Sequence, residues 1–177
     1  MRRVFLSLIL IAICFSIGYG KGWRGITPLR STCADVKHAL NVSQCTIPTS
    51  EYSLAEFRVT IFFSDHDACS NDSKGWDVPK GTVTSIVVSP KKEATASDFG
   101  IDTSNFTKLK PGDVVGAEAF EDCGEGVEIH LFKGMVDYIV FYPPKSDEVR
   151  RCRARLNQNG SAKSSAVTRS LAISLLN

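Results

Sequence analysis

Hydrophobic residues recur at every second position in several short segments of the chain, which is the pattern of β-strands that bury one face. The clearest segment is residues 53–64, in which Phe57, Val59, Ile61 and Phe63 are spaced in this way. Successive side chains of a strand point to opposite faces, so this spacing places the four apolar side chains on one side. The same pattern predicts five strands, at residues 53–64, 82–89, 114–120, 127–132 and 136–142.

The last three predicted strands are separated by short, glycine-containing connections. Residues 123–126 read Cys-Gly-Glu-Gly and residues 133–134 read Lys-Gly, and both are typical of hairpin turns. An antiparallel three-strand meander is therefore expected at the end of the sheet. Alternation places six residues on its core face: Val127, Ile129, Leu131, Val136, Tyr138 and Val140.

A helix is predicted over residues 33–40. Thr32 followed by Asp35 has the form of a capping box, and Val36 and Leu40 lie on one helical stripe with Cys33. The fold class is therefore α+β: an antiparallel sheet of about five strands, ending in the meander, packed on one or two short helices. We expect a single domain over residues 21–156.

The first 20 residues have the form of a secretory signal peptide. Arg2 and Arg3 precede an apolar run, and Gly18 and Gly20 are suited to cleavage after Gly20. Lipid attachment at Cys14 and twin-arginine export are the alternatives to an ordinary soluble export signal. No later apolar run approaches the roughly 18 residues of a membrane span, so no transmembrane segment is expected after signal removal. The protein is thus expected to be exported, either periplasmic or secreted.

Charge is distributed unevenly along the chain. Without its first 20 residues the chain has 19 basic and 19 acidic residues, of which residues 21–144 carry −5 and residues 145–177 carry +5. Residues 157–177 are rich in Asn, Ser, Ala and Gly and are expected to form a disordered basic tail. Nucleic-acid binding is not expected, because the protein is exported and no aromatic residues are interleaved with the arginines. Association of the tail with the acidic domain is the favoured interpretation.

Candidate catalytic and metal-binding residues are few. His66 lies between Asp65 and Asp67, but Ser70 stands where a calcium-binding loop needs Gly, so a solvated loop is favoured over a cation site. No nucleophile elbow, zinc-binding helix or phosphate loop is present. We therefore expect no cofactor, no metal and no catalytic residue. The alternative is a cation-dependent or hydrolytic enzyme that uses His66 and His130.

Five cysteines follow the signal peptide, which is an odd number for an oxidising compartment. At least one thiol is left unpaired, and the residues alone leave 15 ways of forming two bridges. The cysteines are Cys33, Cys45, Cys69, Cys123 and Cys152.

Two longer sequence blocks and a short basic motif stand out in the chain: Trp23-x-Gly25-Ile26-x-Pro28-Leu29-x-Ser31-Thr32-x-x-Asp35-Val36, Gly75-Trp76-x-Val78-Pro79-x-Gly81-Thr82-Val83, and Pro90-Lys91-Lys92. Together they resemble a family of uncharacterised exported bacterial proteins. The likeness extends over about residues 23–152, and that family has no established activity. A more remote similarity is to the BamE-type outer-membrane assembly lipoproteins and to β-lactamase-inhibitor-like domains, which pack helices on an antiparallel sheet and bind proteins.

The resemblance also implies a disulfide arrangement. The family has cysteines that match Cys69 and Cys152, whereas Cys33 and Cys45 depart from its pattern together, as a private second pair would. Cys123 would then be the free thiol. The function expected from all these features is that of an exported, non-enzymatic binding or structural module of the cell envelope, whose partner is an envelope protein.

Overall fold

A computed structural model of the protein describes residues 20–67, 69, 75–110 and 114–152. Within these ranges, seven strands form one antiparallel sheet in the order β1-β2-β3-β7-β6-β5-β4. β1 and β4 are its edges. The strands are β1 (Thr49–Ser53), β2 (Phe57–Phe63), β3 (Val83–Pro90), β4 (Thr107–Leu109), β5 (Ala117–Asp122), β6 (Val127–Phe132) and β7 (Met135–Phe141).

The described residues contain one α-helix, α1 (Cys33–Leu40), which begins where the sequence predicted. The side chain of Asp35 accepts a hydrogen bond of 2.7 Å from the backbone N–H of Thr32, and the Thr32 hydroxyl accepts one from the backbone N–H of Asp35. No helix in this part of the chain has the length and apolar character of a membrane span. Three 3-10 turns complete the regular structure: Ala96–Phe99, Thr103–Asn105 and Lys145–Arg150.

The sheet has more strands than the five that the sequence predicted. The predicted strand at residues 53–64 is the second arm of a hairpin, since β1 precedes it and the backbone N–H of Leu54 donates to Phe57 O at 2.9 Å in the turn. β4 was missed because its three residues are only partly buried or exposed and carry no alternating pattern. The predicted meander is confirmed, because β5, β6 and β7 are consecutive antiparallel neighbours.

One face of the sheet carries the core. Ile86 lies opposite both Ile61 and Phe141 in the ladders of β3, and Ile129 lies opposite Ile139 in the ladder between β6 and β7. These side chains are buried, and the helix and the N-terminal segment pack against the same cluster. Their contributions are Val36 and Leu40 from α1 and Trp23 and Ile26 from the N-terminal segment.

The predicted core face of β7 is wrong beyond Val136. The register between β6 and β7 shifts between His130 and Leu131, so that Asp137 is an extra residue on β7. A bulge of this kind reverses the faces of the residues that follow it. Ile139 and Phe141 are therefore buried, whereas Tyr138 and Val140 lie on the opposite face.

The loop after β2 and the end of the described chain lie side by side. The guanidinium of Arg151 lies 4.1 Å from the ring centroid of Trp76, and the backbone N–H of Cys152 donates to Gly75 O at 2.9 Å. After Pro144 the chain forms the 3-10 turn Lys145–Arg150. The predicted signal peptide, apart from Gly20, and the predicted tail at residues 157–177 lie outside the described residues.

Candidate binding surface

The second face of the sheet, here called the open face, is polar and aromatic along β5, β6 and β7. Antiparallel neighbours point to the same side, so the register places His130 with Tyr138, and Glu121 with Glu128. The side chains of Glu128 and His130 are 28% and 27% exposed. Ionisable side chains thus lie together at a half-buried position in the centre of three strands.

His130 is held by two neighbours on the open face. Its Nε2 donates to Glu128 Oε1 at 2.5 Å, which is possible because residues two apart on a strand share a face. Its ring stacks on that of Tyr138, with 4.1 Å between centroids and 18° between planes. Burial and the charges of Glu128 and Asp137 raise the pKa of Tyr138, so its phenol stays protonated at neutral pH.

A shallow cleft of about 320 Å³ opens above His130 and Tyr138. Its apolar walls come from β4, the segment before β5, and the end of β6, including Leu109, Val114 and Phe132. Its polar groups include His130, Glu128, Asp137 and Lys110. An apolar surface with a few converging polar groups is the common composition of binding sites.

A second cluster lies beside the first and contains the free thiol. The hydroxyl of Tyr142 donates to Glu121 Oε1 at 2.7 Å, and the thiol of Cys123 interacts with both groups. The hydrogen bond to Glu121, together with burial and the carboxylate charge, raises the pKa of the Cys123 thiol. Because the thiolate is the reactive form, this thiol is a weak nucleophile at neutral pH.

The structure does not bring His66 and His130 together. His66 is exposed in the loop after β2, and its Nε2 lies 3.4 Å from Oδ1 of Asp65. β2 and β6 are separated by three strand steps, or about 14 Å at the usual spacing. In the described residues, no three His, Cys, Asp or Glu side chains are close enough to hold a metal ion.

The cysteines form two bridges in the structure. Cys33 and Cys45 have Cα atoms 6.0 Å apart, and their bridge joins the start of α1 to the segment before β1. Cys69 and Cys152 have Cα atoms 5.3 Å apart, and their bridge joins the loop after β2 to the end of the described chain. Cys123 is free and exposed in the turn between β5 and β6.

Part of this surface has a signal in the sequence. Glu128 and His130 are recognisable as neighbours because they are two positions apart on a predicted strand. Tyr138 was placed on the wrong face, since the bulge at Asp137 depends on the pairing of two strands and has no local signal. Pairing of Tyr142 with Glu121 likewise requires the strand order to be known.

Comparison of the chain with protein-family models, with curated proteins and with solved structures finds no match.

Proposed function

We propose that the protein is an exported, non-enzymatic binding module of the cell envelope that uses the open face of its sheet to hold a protein partner. The observation that carries this proposal is the cleft above His130, Glu128 and Tyr138. Between its apolar walls, the ring of His130 stacks on Tyr138 and is hydrogen-bonded to Glu128. A side chain that is already held in place loses little entropy when a partner binds.

The geometry favours binding over hydrolysis. Hydrolytic chemistry requires a nucleophile, a base and an orienting group within hydrogen-bond reach of one another. His130 has an orienting carboxylate in Glu128, but His66 lies about three strand spacings away, and the phenol of Tyr138 has a raised pKa. The raised pKa of Cys123 argues in the same way against a nucleophilic thiol.

Two disulfides are compatible with an oxidising, exported environment. Cleavage after Gly20 is compatible with the structure and would leave Lys21 as the new amino terminus. Its backbone N–H donates to Glu125 O at 2.9 Å and its ammonium lies 2.5 Å from Glu125 Oε2. These contacts would survive cleavage after Gly20, because a new amino terminus at Lys21 still donates hydrogen bonds.

Capture from envelope extracts tests the proposal. The wild-type chain and two variants are used as bait: H130Q, which alters the cleft, and F62S, which alters an aromatic residue of the same face on β2. We expect a partner that is retained by the wild type and by F62S and is lost with H130Q. Retention by all three baits would contradict the assignment of the cleft. If no partner is captured and the chain hydrolyses ester or phosphate substrates in a His130-dependent manner, the enzymatic alternative replaces the proposal.

A further inference from the structure

Exposed apolar side chains are concentrated at one corner of the sheet. Of the six large hydrophobic side chains that are exposed in the described residues, four are at the tip of the β6–β7 hairpin and in the segment before β5. Val115 is 93% exposed and Phe132 is 46% exposed. The four residues are Val114, Val115, Phe132 and Met135.

The two parts of this corner are joined directly. The backbone N–H of Lys133, in the hairpin tip, donates to Gly116 O at 2.8 Å. A Cβ atom at Gly116 would lie 3.9 Å from the ring of Phe132, so the backbone next to Val115 contacts the hairpin. The apolar side chains therefore form one patch, which we call the hairpin corner.

Lysines surround the hairpin corner. Lys91, Lys92 and Lys133 line a groove of about 440 Å³ that also contains Phe132 and Met135. The ammonium of Lys91 donates to Leu54 O at 2.5 Å, so Lys92 and Lys133 are the lysines assigned to a ligand here. The ammonium of Lys133 lies 5.3 Å from the ring centroid of Phe132. The carboxylates of Glu93 and Asp137 line the groove as well, but they stand on shorter side chains than the lysines. Lys110 lines the neighbouring cleft together with Val114.

We propose that the hairpin corner docks on an anionic phospholipid surface, with Val115 and Phe132 entering the headgroup region and the lysines contacting lipid phosphates. Exposed apolar tips with adjoining lysines are the combination that gives interfacial membrane binding. A protein partner is a poorer fit because lysine is depleted in protein–protein interfaces. Long lysine side chains cover apolar surface while their charged ends reach polar groups above it.

Docking at this corner would set the orientation of the domain. Cys123 lies in the turn at the other end of β6, about 17 Å from the hairpin tip at the usual rise per residue. Val149 is also highly exposed. It follows Lys145 closely in the chain, and the backbone N–H of Lys145 donates to Cys123 O at 2.8 Å. Cys123 and Val149 therefore mark the end of the sheet that would face away from the lipid. The cleft would lie next to the membrane, because Val114 and Phe132 line it too.

An environment-sensitive fluorophore on a single cysteine tests the proposal. One chain carries the label on native Cys123, and a second carries it on V115C in a C123S background; Cys14 is replaced with serine in both chains. Vesicles of phosphatidylglycerol mixed with phosphatidylcholine should shift the emission to the blue at position 115 and leave it unchanged at position 123. Vesicles of phosphatidylcholine alone should give a much smaller shift.

Vesicle co-sedimentation of matched variants provides the second measurement. We expect the double variant V115S/F132S to reduce partitioning to anionic vesicles by at least about tenfold, and K92E/K133E to reduce it by a similar factor. V149S should bind like the wild type. All variants share one N-terminus, so a difference in binding between them does not arise from that segment. Their unfolding midpoints verify that they fold.

Three results would overturn the docking proposal: equal emission shifts at positions 115 and 123, equal binding to anionic and neutral vesicles, or a shift at position 115 that appears without vesicles as the chain self-associates. The last result would assign the corner to a second copy of the chain. This proposal goes beyond the binding function of the cleft. Loss of partner capture with H130Q and loss of vesicle binding with V115S/F132S are separate outcomes, so either proposal can fail alone.

Discussion

The hydroxyl of Tyr142 donates a hydrogen bond of 2.7 Å to Oε1 of Glu121 and thereby joins the end of β7 to β5 across β6. Glu121 lies opposite Glu128 in the ladder between β5 and β6, so two carboxylates share the open face. Each has a donor of its own, since Glu128 accepts from His130. These two hydrogen bonds offset the repulsion that like charges cause at directly opposed positions.

Replacing Tyr142 with phenylalanine removes one of these donors. We expect Y142F to lower the free energy of unfolding by about 1–2 kcal/mol, because the half-buried Glu121 loses the hydrogen bond that the Tyr142 hydroxyl donates to it. Urea denaturation at neutral pH measures the change. Y52F is the matched control, since the Tyr52 hydroxyl donates at 3.0 Å to an exposed backbone oxygen, that of Gln44. An equal loss in both variants would contradict the role of the Glu121 contact.

Stability should decrease at alkaline pH. Burial is the main cause that raises the pKa values of Tyr138 and Tyr142 in the folded chain above the ordinary value of 10.0. The folded state therefore keeps phenolic protons that the unfolded state releases, so this stability is complete below pH 10 and is lost as the pH rises further. Unfolding midpoints at about pH 9 and about pH 11 should differ more for the wild type than for Y138F/Y142F. Equal differences would contradict the raised pKa values.

Features with local signals were predictable from the sequence. The capping box of Thr32 and Asp35 located the start of α1, and glycine-containing turns located the meander. Features that depend on strand pairing were not predictable. Thr107–Leu109 is a strand only because β5 lies beside it, and the position of Tyr138 depends on an extra residue in the ladder with β6.

The two disulfides should contribute unequally to stability. The bridge between Cys33 and Cys45 spans 12 positions and that between Cys69 and Cys152 spans 83. In the chain-entropy model, their removal costs about 3 and about 4.5 kcal/mol, respectively, because the longer loop restricts the unfolded chain more. Denaturation of C33A/C45A and C69A/C152A measures the difference. A larger loss in C33A/C45A would contradict the entropic account.

Peptide mapping of the non-reduced protein checks the pairing itself. We expect Cys123 to be recovered unbridged. Its raised pKa predicts slow alkylation at neutral pH and faster alkylation as the pH rises, because the thiolate fraction increases. The matched variant E121Q removes the charge and weakens the acceptor beside the thiol, so it should alkylate faster at neutral pH. Recovery of Cys123 in a bridge to Cys69 or Cys152 would overturn the arrangement.

Gly126 and Gly134 both have a positive φ angle, but only Gly126 is crowded by neighbouring atoms. Substitutions at the two positions therefore distinguish the cost of backbone strain from the cost of a steric clash. Gly126 has φ +71° and Gly134 has φ +79°, so a side chain is disfavoured at both. A Cβ atom at Gly126 would lie 2.1 Å from the carbonyl oxygen of Tyr142, whereas one at Gly134 would meet nothing within 4 Å. We therefore expect G134A to cost about 1–2 kcal/mol, from backbone strain alone, and G126A to cost more than about 4 kcal/mol.

The collision at Gly126 has a specific structural consequence. The backbone N–H of Tyr142 donates to Gly126 O at 2.9 Å, and this contact holds Tyr142 beside Glu121. If G126A folds, the backbone around residue 126 must move away from Tyr142, so the hydrogen bond to Glu121 should be lost as well. Combining G126A with Y142F should then cost less than the sum of the two single changes, because the second change removes a contact that is already broken. Fully additive losses in urea denaturation would show that Gly126 and the Tyr142 hydroxyl act independently.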